Sequence, residues 1–161
     1  MKKKIFWMVT CVLFISAALY LRNQSEGLSD RSSTLLSRPT VSIGKHVFAV
    51  ELAQSSEERQ LGLGNRKNIS DNAGMLFVFP ERDRHSIWMR NMLFPLDIIW
   101  LNSADTKEGS LTVVDMRLEV SPETYPEAFL PMEDALYVLE LPAGSAKKAG
   151  IGMGSVLTFR K

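Results

Sequence analysis

Gly74-Met75-Leu76-Phe77-Val78-Phe79-Pro80, residues 74–80, is the stretch on which the fold class turns. The apolar run is short and rich in aromatic residues, with a helix breaker at either end. That composition reads as a strand that Pro80 terminates. Upstream, Val41-Ser42-Ile43 and His46 to Leu52 flank Gly44-Lys45, a hairpin pattern that puts Phe48, Val50 and Leu52 on one face. Ser55 precedes Glu58 at capping-box spacing, which predicts a short helix over Ser56 to Leu61 closed by Gly62 and Gly64. Asn65 to Ala73 reads as loop.

Downstream the pattern stays β-like. Glu81 to His85 is a charged turn, and Ser86 to Met92 alternates as a strand would. Further strands are expected over Leu96–Leu101, Ser110–Val120, Ala135–Leu141 and Ser155–Arg160. Asn102 to Gly109 is a polar turn, and the prolines of Ser121 to Pro131 make that segment a loop. Pro142 to Gly150 holds one helical turn. The expected fold is therefore mainly β: a single compact antiparallel β-sandwich or barrel-like domain over residues 40–161, with about eight strands and two short helices. No long helices alternate with the strands, which argues against a parallel α/β sheet.

The N-terminus reads differently. Lys2, Lys3 and Lys4 precede an uncharged apolar run from Ile5 to Leu21, and Arg22 follows it. The length lies between a signal-peptide core and a transmembrane helix. Ser16-Ala17-Ala18 offers a cleavage site, but Leu19-Tyr20-Leu21 continue the apolar run and Tyr20 suits an interface, which favours a retained anchor. Residues 1–21 are thus expected to be a signal anchor or signal peptide. Residues 22–39, Ser-rich with mixed charge, read as a flexible tether. The positive-inside bias puts the β domain outside the cytoplasm, membrane-anchored, or secreted if the signal is cut.

The charge balance narrows the partners. Setting Lys2, Lys3, Lys4 and Arg22 aside from the 19 basic residues leaves 15 against 18 acids, so the remainder carries about −3. No basic stripe remains, which disfavours nucleic acid. The single cysteine, Cys11, lies in the apolar N-terminal run, so the β domain has neither disulfide framework nor thiol nucleophile.

The ordered motifs Glu58-Arg59-Gln60-Leu61-Gly62-Leu63, Gly74 to Phe79, Trp88-Met89-Arg90-Asn91, Pro95-Leu96-Asp97-Ile98-Ile99 and Val138 to Gly144, then Gly150-Ile151, resemble the uncharacterised DUF192 family (domain of unknown function 192). The resemblance spans roughly Val47 to Phe159. It implies a compact, mostly β domain, often exported or membrane-tethered, and no established reaction. Two departures from the family pattern are Gly64-Asn65-Arg66 and Gly154-Ser155, the latter where relatives carry Gly-Asp.

Five residues stand out as candidate binding positions: Arg59, Trp88, Asn91, Asp97 and Glu140. Arg59 is a bidentate anion clamp in one reading and the partner of a buried acid in the other. Asp97 is an acid within an apolar strand, which is costly without a partner, and Arg59 and Arg90 are the cations considered. Glu140 either alternates outward from Leu139 and Leu141 or joins a buried network. If the fold brought Asp97 and Glu140 together, the pair would suit a cell-envelope hydrolase. Trp88 with Asn91 suits a sugar or peptide pocket, although their opposite parity on a regular strand requires a bulge.

His46 and His85, without a third ligand at suitable spacing, read as solvated turn residues, and the methionines as core fillers rather than copper ligands. No catalytic residues, metal site or cofactor are expected. The leading expectation is a membrane-tethered domain that binds a small ligand, glycan or partner protein without catalysis, with the paired-carboxylate hydrolase as the alternative.

Overall fold

The computed structural model describes residues 38–104 and 108–161. The expected anchor at 1–21, and the tether at 22–39 except its last two residues, lie outside the described residues. Among the described residues, no helix is long and apolar enough to cross a membrane. The strands are β1 (Thr40–Ile43), β2 (His46–Ala53), β3 (Ala73–Asp83), β4 (Ile87–Trp88), β5 (Leu96–Ser103), β6 (Ser110–Val120), β7 (Ala128–Phe129), β8 (Ala135–Pro142) and β9 (Val156–Arg160). The helices are α1 (Ser56–Leu61) and α2 (Ser145–Ala149), with a 3-10 turn at Pro122–Thr124.

Seven strands close a barrel in the order β1-β2-β3-β8-β5-β6-β9, sealed by β9 pairing antiparallel to β1. β4 and β7 form a separate two-stranded sheet. The barrel branch of the expected fold is therefore the one observed. One pairing departs from the antiparallel expectation: β2 and β3 run parallel, with Val50 opposite Gly74 and Leu52 opposite Leu76. Parallel neighbours need a long crossover rather than a tight turn. The segment from Gln54 to Asn72, carrying α1, supplies it. That helix starts where the capping box places it: Ser55 accepts from the Glu58 amide at 3.1 Å, and Glu58 accepts from the Ser55 amide at 2.9 Å.

β5 is buried at every position from Leu96 to Leu101. A strand is apolar without alternation when both its faces are covered. Inward, Ile99 and Leu101 pack with Leu76, Leu139, Leu141, Phe48, Val50 and Leu157 in the barrel interior. Outward, Leu96, Ile98 and Trp100 pack with Met75, Phe77, Val138, Ile87, Met89 and Met92 in a second core. The wall formed by β3, β8 and β5 thus separates two apolar layers. The Trp100 indole N–H donates to the His85 carbonyl at 2.9 Å, fixing the segment before β4 over the outer layer.

Three expectations need correcting. Pro80 does not end β3, because it falls in the irregular stretch between Val78 and Asp83, where β8 makes no regular ladder that needs its missing N–H. Ser86 to Met92 is not one strand: pairing stops at Trp88, and Asn91 adopts φ 57° as the chain turns, with the Met92 amide donating to the Met89 carbonyl at 3.2 Å. The loop from Ser121 to Pro131 contains β7, whose Phe129 and Ala128 pair with Ile87 and Trp88. Two-residue strands carry too little pattern to be read locally.

Asp97 closes one end of the barrel. It is fully buried, and its partners are neither Arg59 nor Arg90. Oδ1 accepts from the Glu119 amide at 2.9 Å and Oδ2 from the Ala146 amide at 2.8 Å. α2 begins at Gly144, which has no capping side chain, so Asp97 supplies the acceptor from a distant strand. Glu119 sits at φ 53°, a conformation its side chain disfavours and the Asp97 bond helps to hold. Bonds from backbone N–H to a carboxylate contribute about 1.5–3 kcal/mol each, enough to offset the burial of this acid. Asp97→Ala leaves both amides without their acceptor, and urea denaturation should show a loss of about 2–4 kcal/mol. A loss below about 0.5 kcal/mol would contradict this role.

Candidate functional site

The outer core does not fill the space between the barrel wall and α1. A cavity of about 390 Å³ remains, lined by α1 and the turn after it (Arg59 to Gly64), by Phe77 and Phe79 of β3, by Ser86 to Trp88, by Arg90 and Met92, and by Glu140 of β8. Strand alternation explains the aromatic side: Met75, Phe77 and Phe79 share the outer face of β3, whereas Leu76 points into the barrel. Gly62, at φ 52°, ends α1, and a Cβ there would meet the Phe77 ring at 3.3 Å. The glycine therefore serves both the turn and the close seating of α1 on β3.

Glu140 is the unusual member. It is only 5% exposed, and its Oε2 has no hydrogen-bond partner. Its strand neighbours are Met75 on β3 and Ile98 on β5, neither of which offers a polar side chain. On the inner side of the wall β3 and β8 approach closely, since a Cβ on Gly74 would lie 2.6 Å from the Glu140 main-chain carbonyl oxygen. Burial pushes the Glu140 carboxyl up to about 8. At neutral pH it is therefore mostly the acid, with one O–H to donate.

Arg59 lines the same cavity without pairing to Glu140. Its Nη1 donates to the Val78 carbonyl at 3.0 Å and to the Gln54 carbonyl, and its guanidinium lies 5.1 Å from the centre of the Phe79 ring. The buried-acid partner considered for it is replaced by main-chain carbonyls. Phe79 also stacks on His85 at 3.5 Å between ring centres, and His85 Nε2 lies 3.0 Å from the Glu81 carbonyl. His85 is thus a half-buried packing residue rather than a solvated one. Trp88 stands at the cavity's edge, 45% exposed.

The structure so gathers Arg59, Trp88 and Glu140 around one cavity and leaves the other two candidates outside it. Asn91 lines an adjoining groove, and its carbonyl accepts from the Asn65 amide at 2.8 Å. Asp97 faces the opposite way. Asp97 pairs with Leu141, and Glu140 with Ile98, so the two carboxylates are one residue out of register and project to opposite faces of the wall. They do not form a facing pair for acid–base hydrolysis. Sequence reasoning missed Gln60, Phe79, Arg90 and Met92 as lining residues, and only the parity of Phe77 and Phe79 was available as a signal. Among the described residues, no group of three or more His, Cys, Asp or Glu side chains is placed to hold a metal ion. Ser155, in the departing Gly-Ser pair, accepts from the Gly152 amide through Oγ at 3.0 Å, away from the cavity.

The described residues thus form a small closed β-barrel with a cavity on its outer wall, lined in part by a buried acid. The chain belongs to the DUF192 family, described as "Uncharacterized ACR", whose model matches residues 39–159. It is 30% identical over 112 residues to a UPF0127 protein of Thermococcus gammatolerans, covering 68% of this chain and 65% of that protein, so the chain spans just under two thirds of that relative's length. A proposed transcription regulator from Sinorhizobium meliloti 1021 has a similar crystal structure, with TM-score 0.66 and 30% identity over 76% of this chain and 92% of that one. So does a protein of unknown function from Novosphingobium aromaticivorans, with TM-score 0.63 and 33% identity over 77% and 84% of the two chains.

The raised Glu140 carboxyl links stability to pH. Between its ordinary value of 4.5 and about 8, the unfolded chain has released this proton while the folded chain retains it. Folding there takes up a proton, so stability falls as pH rises through that window. Glu140→Gln removes the titration. Its thermal midpoint should exceed that of the wild type by more at pH 8 than at pH 5, a difference of a few kcal/mol in linkage terms. Parallel stability–pH curves for the two proteins would show that Glu140 is not buried as an acid.

Proposed function

We propose that this protein is a membrane-tethered, extracytoplasmic binding domain that holds a small ligand in the cavity between α1 and the barrel wall. One observation carries the reading: Glu140 is buried at the cavity with an unpartnered polar atom. An unsatisfied buried carboxyl costs about 1–3 kcal/mol, and a ligand that accepts its hydrogen bond recovers that loss. The cavity volume of about 390 Å³ falls in the range of about 300–1,000 Å³ that small-molecule sites occupy. Its lining combines aromatic surface with a few polar groups, as such sites do. What supports the tether is the lysine-flanked apolar run of residues 5–21 and its continuation through Leu19-Tyr20-Leu21. The hydrolase alternative loses its second carboxylate, since Asp97 is held by two backbone amides on the other face.

Two measurements test the proposal. In fractionated cells the full chain should sediment with membranes, begin at Met1 or Lys2, and be cut by protease added from outside. A mature N-terminus at Leu19 would replace the tether with secretion. In a thermal-shift screen of small polar and aromatic compounds, a ligand that fills the cavity should raise the midpoint by several degrees at saturation. Trp88→Ala should weaken that shift by more than it changes the unliganded midpoint, because nearly half of Trp88 is exposed. Silence across chemically diverse compounds would remove the small-ligand reading.

A further inference from the structure

The cavity does not end at Arg90. A shallower groove of about 280 Å³ shares Glu57, Gln60, Leu61 and Arg90 with it and adds Asn65 and Asn91. The two form one cleft with an aromatic, acid-bearing deep compartment and an amide-lined outer compartment. The deep end needs a ligand atom that accepts a hydrogen bond. Arg59, one of the two lining guanidiniums with Arg90, is occupied by the Gln54 and Val78 carbonyls. The outer end offers Gln60, Asn65 and Asn91, whose amides each present both donor and acceptor, the match for hydroxyl groups. Trp88 at the edge supplies a flat apolar surface.

We infer that the cleft takes an uncharged oligosaccharide, one terminal sugar ring lying beside Trp88 with an oxygen accepting from Glu140, and the following ring lying along Gln60, Asn65 and Asn91. The inference rests on the binding reading above and names its ligand class. Other chemistries fit less well. A compact apolar ligand leaves both the Glu140 carboxyl and the amide-lined groove without partners. An amine meets two guanidiniums, Arg59 and Arg90, against one surface carboxylate, Glu57. These three are the charged groups lining the cavity with Glu140; β3 adds the apolar rings of Phe77 and Phe79, and Met75 and Ile98 flank Glu140 on the neighbouring strands.

The test uses the full chain in lipid nanodiscs, titrated with three uncharged trisaccharides (chitotriose, cellotriose and maltotriose) and two controls (phenethylamine and phenylacetate), read by tryptophan fluorescence and calorimetry. At least one trisaccharide should bind saturably. Trp88→Ala should weaken it about two- to tenfold, in line with loss of an aromatic contact. Asn91→Ala should weaken the trisaccharide more than its monosaccharide, since only the longer ligand reaches the groove. Raising the pH from 6 to 9 should weaken binding several-fold in the wild type and not in Glu140→Gln. Saturable binding of phenethylamine or phenylacetate, sensitive to Trp88→Ala, with the sugars silent overturns the sugar assignment and leaves the cavity as a binding site. Silence of all five overturns the assignment and counts against the binding reading itself. Sugar binding indifferent to both Trp88→Ala and Asn91→Ala also overturns the placement.

Discussion

The structure depends on one wall of three strands that is buried on both sides. β3, β8 and β5 carry the barrel's interior core on one face and a second apolar layer on the other. Most strands of a small antiparallel barrel show one face to water and alternate accordingly. This wall cannot, and its sequences read instead as apolar runs without alternation, Met75 to Phe79 and, but for Asp97, Leu96 to Leu101 among them. The second layer explains why the chain spends residues on elements outside the barrel. Leu63 in the turn after α1, the two-stranded sheet of β4 and β7, and the segment anchored by Trp100 all cover the outer face.

Two buried acids sit in that wall, and their settings contrast. Each interrupts an apolar strand, and each is buried. Asp97 is turned inward, where two otherwise uncapped amides need an acceptor and its two carboxyl oxygens supply it. Glu140 is turned outward, where Met75 and Ile98 flank it and its Oε2 has no hydrogen-bond partner. The first is a fastening of the fold. The second is a free hydrogen-bonding group in an apolar place, which a folded protein tolerates at a cost and which clusters at functional sites. The covering elements leave a gap over Glu140, so the outer layer both completes the core and frames a cleft.

Much of the barrel was legible in the sequence. The hairpin about Gly44-Lys45, the capping box at Ser55 and Glu58, and β6 over Ser110–Val120 follow from local patterns that the structure repeats. What failed to show were features settled by distant partners. Pro80 reads as a stop, yet β3 continues because its partner strand is irregular there. β4 and β7 are too short to carry a pattern, and each exists only through the other. The parallel pairing of β2 with β3 is a choice of sheet order, which alternation does not encode. In the cleft, Glu140, Trp88 and Arg59 stood out as polar or aromatic residues in unusual settings, but their convergence on one cavity was not visible.

By itself, then, the sequence determined the β class, the strand-length periodicity, the helix start at Ser55, the family resemblance and the presence of two acids that needed explaining. These are local properties: side-chain alternation, turn chemistry and the cost of a charge among apolar neighbours act within a few residues. The tertiary structure alone decided which acid was satisfied. Strand register sets that outcome, because a shift of one residue turns a side chain to the opposite face. Asp97 and Glu140 lie on adjacent strands, one step out of register, and that single step sends one to the backbone amides of Glu119 and Ala146 and the other to the cleft.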